Sequence, residues 1–297
     1  MELRIELECS TPFGITDKIT IPGASRGRSG RGSAQRLSAS QTRSRYREHR
    51  AAVAALQRDF FEELATRLKL APDPTRRKVL AGLKRALADG VPMLRVEDEA
   101  DLRAILQSGR FLSQFQTRTS GGAYDPLRRA AAEERTMGVP LGQPPADRPI
   151  YGHLGARDFA EIRSPSEELL STAYGPIAVR LRPGIRARTT FVLGDSLDDQ
   201  EQVVASRLDA PELISFPVRK EGAVKAARTL ALPGESSVNR RTLQVEFGYI
   251  ELHYHGGVAV EDVAEIALAV PPAPETLRLL EARKIRWRVI PTAVPPS

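Results

Sequence analysis

The sequence predicts an α+β protein. Two amphipathic segments come first, and from Val91 onward short apolar runs are cut by Gly, Pro and Asp. These runs lack the regular strand-helix alternation that a doubly wound sheet requires. With 297 residues, 41% of them hydrophobic, the chain can bury a real core.

Element by element, Leu3–Glu8 alternates like a short strand. Residues 23–42 carry too few large apolar side chains to offset the entropy of ordering and read as a linker. Between Arg43 and Leu70, Val53, Leu56, Phe60, Phe61, Leu64 and Leu68 recur at helical spacing. After a Pro72-Asp73-Pro74 turn, Thr75 can cap a second helix through Val79, Leu83 and Leu87 to Asp89-Gly90, completing a hairpin. Next come a strand over Pro92–Val96, a helix begun by Glu97 or Asp98 and stopped at Ser108-Gly109, an extended stretch over Arg110–Thr119 and a helix over Tyr124–Met137. Gly138–Pro149 reads as a loop. Further strands are expected at 177–181, 189–193, 213–218, 245–253, 266–270 and 285–290. The domains expected are a basic, largely disordered segment over 1–42, a helical hairpin over 43–90 and a β-rich domain over 91–297.

Charge and cysteine content exclude several classes. No run of eighteen apolar residues exists, so no membrane span is expected. Met1–Glu6 lacks the order of a secretory signal, which predicts a cytoplasmic protein or one exported without a recognisable signal peptide. The single Cys9 and four histidines show no zinc-site spacing, so no metal site is expected. Net charge is +7, and Arg26–Arg50, with eight arginines against Glu48, accounts for the surplus. That segment suits a solvated tail, an address signal or a nucleic-acid contact.

Three stretches carry polar groups suited to chemistry. Over Tyr249–Tyr254 a strand places Tyr249, Glu251 and His253 on one face, either lining a cleft or facing solvent on a sheet edge. In Ser108–Gly122, the residues Ser113, Gln114, Gln116, Thr117 and Thr119 suit hydrogen bonding to an amide or ribose, and Gly121-Gly122 permits close backbone approach. In Arg148–Leu154, Tyr151 beside Gly152 could stack on a planar ring or pack in the core.

Four blocks in order, GRFLSQFQTRTSGGAYDPLRRAAAEE, RPIYGHLG, YGPIAVRLRPGIRARTTFVLGDS and YIELHYHGGVAVEDV, resemble an uncharacterised bacterial domain family of the ADP-ribosyltransferase superfamily. The resemblance spans about Val91 to Val270. It implies a split, strongly bent β-sheet that clamps NAD, used as substrate, in an extended cleft. By this resemblance Glu251 is the catalytic carboxylate, Arg95 on the first core strand holds ribose or phosphate, Ser113 and Gln114 on the second support nicotinamide, Tyr151 is a stacking ring, and Thr117 joins the NAD contacts. The function implied is transfer of ADP-ribose from NAD to an unidentified protein or nucleic acid, or NAD glycohydrolysis, in the setting of a bacterial toxin or effector. Three positions depart from the family pattern. Leu112 stands where a basic residue is usual, with Arg110 or Arg118 as substitutes, and Gln116 stands where Glu is usual. Tyr249 occupies the place of the second acid that arginine-modifying relatives carry. The alternative is a nucleic-acid-binding protein acting through its basic amino-terminal region beside a non-catalytic transferase-like domain.

Overall fold

A computed structural model describes residues 6–7, 19–20, 38–119, 124–156, 175–197, 203–218, 222–231 and 240–290. Most of the basic linker and the Gly121-Gly122 turn lie outside them. The chain forms two compact units, Met1–Arg36 and Leu37–Ser297. In the first, β1 (Glu6–Leu7) pairs antiparallel with β2 (Ile19–Thr20).

The second unit begins with α1 (Ala39–Leu68), which starts before the expected Arg43. Ser38 caps it reciprocally: the Gln41 N–H donates to Ser38 Oγ at 3.3 Å, and the Ser38 N–H donates to Gln41 Oε1 at 2.7 Å. The second helix, α2 (Pro72–Ala88), starts at the proline itself with Ala71 as N-cap. Thr75 is therefore one turn inside it, donating to the Ala71 carbonyl at 2.9 Å, rather than the cap. The hairpin belongs to the same compact unit as the sheet. Gln57 binds it there, its amide donating to the carbonyls of Leu213 and Phe216.

Strand β3 (Val91–Val96) follows, then α3 (Glu99–Ser108), capped by Asp98 and closed by Gly109 at φ 77°, a left-handed conformation that favours glycine. Next are α4 (Gln114–Thr117), α5 (Pro126–Met137), β4 (Ile150–Gly155), β5 (Ile177–Leu181), β6 (Thr189–Leu193) and β7 (Ser206–Arg207). The chain continues through α6 (Ala223–Ala231), α7 (Arg240–Phe247), β8 (Ile250–Tyr254), β9 (Val263–Leu268), α8 (Pro274–Ala282) and β10 (Arg286–Val289). The α+β expectation holds.

Four local expectations do not. Arg110–Thr119 contains α4 instead of a strand, so Ser113 and Gln114 stand at a helix start and not on a second core strand. Leu213–Ser215 is a turn of 3-10 helix, because Ser215 and Gln57 take up the carbonyls that a sheet partner would use. Residues 245–247 end α7, and β8 begins only at Ile250. Residues 223–231 and 274–282 are helices that the strand-rich reading overlooked.

The sheet runs β10-β9-β5-β3-β4-β8-β6-β7, parallel between β10 and β9 and antiparallel elsewhere. One side carries Leu94, Val96, Leu154, Val179, Phe191, Leu252 and Tyr254 into the main core, where Leu83, Leu102, Ala226 and Leu243 of the helices meet them. The other side carries Arg95, Tyr151, His153, Glu251 and His253, interspersed with the buried apolar residues Met93, Ala178, Val192 and Ala267.

The sheet parts at β3. Val91, Pro92 and Met93 pair with β4, whereas Met93 to Val96 pair with β5. Beyond Met93 the strands β3 and β4 separate. At that point the Tyr254 hydroxyl donates to the Met93 carbonyl at 2.9 Å. Gly152 leaves room for the tyrosine ring: a Cβ there would lie 2.2 Å from the Met93 oxygen and 2.7 Å from a ring carbon of Tyr254. Gly152→Ala should therefore cost about 3 kcal/mol by overpacking, a fall in melting temperature of roughly 6–12 °C. Unchanged calorimetric melting would show that the strands move aside freely.

Candidate active site

Register alone brings the predicted carboxylate to the gap. Because directly opposed residues share a face, Met93 meets His153, His153 meets Glu251, Tyr151 meets His253, and Thr190 meets His253. Arg95, two residues after Met93, lies on that same side across the gap. A cavity of about 710 Å³ opens there, lined by Arg95, Gln114, Arg129, Tyr151, His153 and Glu251 among others. Its size falls within the range of small-molecule sites.

Every residue of β8 is buried, which rules out the solvent-facing row as the place of Glu251. The Glu251 side chain keeps both oxygens engaged: the Tyr249 hydroxyl donates to Oε2 at 2.9 Å, and His253 Nε2 lies 2.7 Å from Oε1. Glu251 is 4% exposed and His253 0%. Burial pushes the carboxyl pKa up, but the hydrogen bond and charge of His253, joined by Arg129 and the Ser196 hydroxyl, outweigh it and hold the group below its ordinary value. It is an anion at neutral pH.

Behind Glu251 the polar chain continues. His253 Nδ1 lies 3.2 Å from the Thr190 hydroxyl, which lies 2.9 Å from His255 Nε2. Threonine can donate to one ring and accept from the other, so the chain is satisfied in either direction. Burial, aided by the His253 charge, lowers the His255 pKa to about 4 from 6.5. Between these values the unfolded state binds more protons than the folded one, so stability falls as pH drops through that window. From pH 7 to pH 5 this group should remove about 2 kcal/mol. His255→Asn should flatten that part of the urea-midpoint profile; an unaltered slope would assign the acid sensitivity to other groups.

The other predicted residues divide. Gln114 and Thr117 line the cavity, and the Gln114 Oε1 atom is buried without a hydrogen-bond partner. Ser113 does not line it: the residue is 1% exposed and its hydroxyl donates to the Pro145 carbonyl at 2.5 Å. Arg110 lines the cavity, as a substitute for the charge missing at Leu112 would have to, and Arg118 does not. Tyr151 lines it with one ring face covered, since the Arg129 guanidinium carbon lies 4.4 Å from the ring centroid. Its hydroxyl donates to Glu133 Oε1 at 2.9 Å, and its ring stands edge-on to His253 at 5.2 Å.

Arg129, Glu133, Arg148 and His153 escaped the sequence reading. Arg129 and Glu133 are four residues apart on α5, a spacing that reads as a solvated ion pair. Both are instead buried against Tyr151, and Glu133 is held by Arg148 Nη1 at 2.5 Å. The available signal was the run Ala130-Ala131-Ala132, small side chains that let α5 pack closely, as it does against α1. Among the described residues no group of three or more His, Cys, Asp or Glu is placed to hold a metal ion. No helix of the described residues is long and apolar enough to cross a membrane.

No family model matches the chain. It is 29% identical over 217 residues to the Gene 2 protein of Mycobacterium phage L5, across 70% of this chain and 78% of that protein. To the Gene 2 protein of Mycobacterium phage D29 it is 26% identical over 213 residues, with the same shares covered. Among solved structures, Thermus sp. 2.9 DarT in complex with NAD+ aligns at a TM-score of 0.36 and 13% identity, over 68% of this chain and 96% of that one.

Proposed function

We propose that the chain transfers ADP-ribose from NAD to a macromolecule with release of nicotinamide. One observation carries the reading: an ionised, buried carboxylate, Glu251, stands at a gap in the sheet that has Arg95 on its far side, with a dinucleotide-sized cavity between them. The order of the four sequence blocks supports it. So does the fit of the lining: Gln114 Oε1 and Arg129 Nη1 are buried polar atoms without partners, as groups awaiting a polar ligand would be.

In this reading Arg95 pairs with the pyrophosphate as a fixed planar donor, and the nicotinamide ribose lies against Glu251. The glycosidic bond from C1′ to the nicotinamide nitrogen breaks, and nicotinamide leaves with the electron pair. Positive charge then develops on C1′ and the ring oxygen. A fixed carboxylate stabilises it without reorganising, as carboxylates do in glycoside cleavage. An acceptor nucleophile completes the transfer by bonding to C1′ and losing its proton; water in that place gives free ADP-ribose. Tyr249 and His253 act on Glu251 by fixing its orientation. Incubation with NAD labelled in the nicotinamide ring should release labelled nicotinamide, and its absence under all acceptor conditions would overturn the proposal.

Contact with a polyanion through the basic amino-terminal region is the competing reading, favoured by the exposed Arg43, Arg45 and Arg47 on the first turns of α1. A truncation that stops before Ser38 leaves these arginines in place, so the test combines it with glutamine at Arg43, Arg45 and Arg47. Thr42 is buried, His49 approaches the Val203 carbonyl at 3.2 Å and Arg50 pairs with Glu212, so cutting further in would disturb the fold.

A further inference from the structure

Arg129 has no part in the chemistry described so far, yet it occupies the cavity beside Glu251. It sits on the first turn of α5, which Asp125 caps by accepting from the Leu127 and Arg128 N–H groups at 3.0 Å each. The residue is 6% exposed. Its guanidinium is pinned on the Tyr151 ring, and Nη1 is buried with no hydrogen-bond partner. A buried N–H on a permanently charged group forfeits its hydration without return unless something else accepts from it.

Glu251 presents the complementary need. Its oxygens receive the Tyr249 hydroxyl and His253, with the Ser196 hydroxyl also directed at the carboxylate, which still leaves one of its roughly four acceptor sites open. The cavity wall therefore offers an acceptor on Glu251 and a donor on Arg129. A phosphate fits this pair poorly, because it has no proton for Glu251 and shares its charge. Vicinal hydroxyls fit both, since each can donate one way and accept the other.

We propose that Arg129 completes the site of the nicotinamide ribose, donating to the 3′-oxygen of the sugar whose 2′-hydroxyl faces Glu251. This rests on the reading of NAD as substrate. A carboxylate close enough to C1′ to stabilise its charge meets the 2′-hydroxyl on the adjacent carbon, which leaves the 3′-oxygen for the neighbouring guanidinium. Arg129 is then a substrate-contacting residue that fixes the sugar relative to the carboxylate.

The test varies the ligand and the protein together. Nicotinamide release by the wild type is compared for NAD and for NAD lacking the 3′-hydroxyl of the nicotinamide ribose, then repeated with Arg129→Gln and Arg129→Lys, all melted first to establish folding. The wild type should prefer NAD by roughly tenfold or more in kcat/KM, as expected for one hydrogen bond to a charged group. Arg129→Gln should be nearly indifferent to the missing hydroxyl. If Arg129→Gln does not fold, Arg129→Lys decides, because it keeps a cation on Tyr151 while losing the planar fork. Equal use of both ligands by the wild type overturns the inference, as does an undiminished preference in the folded variants. If no nicotinamide is released from NAD at all, the transfer reading falls separately. The same comparison is then made by calorimetry with ADP-ribose and its analogue lacking the 3′-hydroxyl of the terminal ribose. Loss of discrimination in the variant sustains the diol contact, and failure of the wild type to bind ADP-ribose overturns it.

Discussion

Glu251→Gln should lower nicotinamide release from NAD by about 10²–10³-fold, the range seen when one fixed electrostatic partner of a transition state is removed. The substitution keeps the size and one acceptor oxygen, so the Tyr249 or His253 contact can persist while the negative charge does not. KM for NAD should change less than kcat, because the charge being stabilised develops only as the glycosidic bond breaks. Rapid-quench or steady-state measurement of labelled nicotinamide separates the two parameters. Release at the wild-type rate from a folded Glu251→Gln protein would remove this carboxylate from the reaction.

Arg148→Met should destabilise the fold by about 3–5 kcal/mol, the cost of stranding a buried charge by removing its partner. The stranded group is Glu133, 0% exposed, which would keep the Tyr151 hydroxyl as its hydrogen-bond donor and the charge of Arg129 nearby. Arg148 also donates to the carbonyls of Leu141 at 2.6 Å and Gln143 at 3.2 Å, and stacks 4.0 Å from the Phe115 centroid. Adding Glu133→Gln to Arg148→Met should therefore recover only part of the loss: the orphaned charge is gone, but the loop carbonyls remain without their donor. Urea unfolding of both variants measures this. A single-variant loss below about 1 kcal/mol would mean that water reaches Glu133 as it reaches exposed pairs.

The parts legible in the sequence are those whose signal is local. Asp98 and Gly109 bracket α3 because a cap and a left-handed stop need only their own neighbours. The shared face of Glu251 and His253 follows from the two-residue period of a strand. The start of α4 was also local and was still missed: Gln116 Oε1 accepts from the Ser113 N–H at 3.1 Å, the pairing that Ser-x-x-Gln announces. Its run of polar residues reads instead as an extended stretch. Arg129 and Arg148 were illegible for a different reason. Their partners, Tyr151 for the first and Glu133 and Phe115 for the second, lie 15 to 33 positions away, and charged residues at such separations are solvated far more often than buried.

Strand β3 pairs with β4 along its first half and with β5 along its second, and this gives the sheet the form of a pair of jaws. Arg95 rides on the half that continues through β5, β9 and β10, while Tyr151 and Glu251 ride on the half that continues through β8, β6 and β7. Among the described residues Val91, Pro92 and Met93 join the two, and the Tyr254 hydroxyl closes the apex of the gap by donating to the Met93 carbonyl. A molecule gripped by Arg95 at one end and Glu251 at the other fastens both jaws, so its binding energy is spent on the sheet as a whole and not on a loop at its rim.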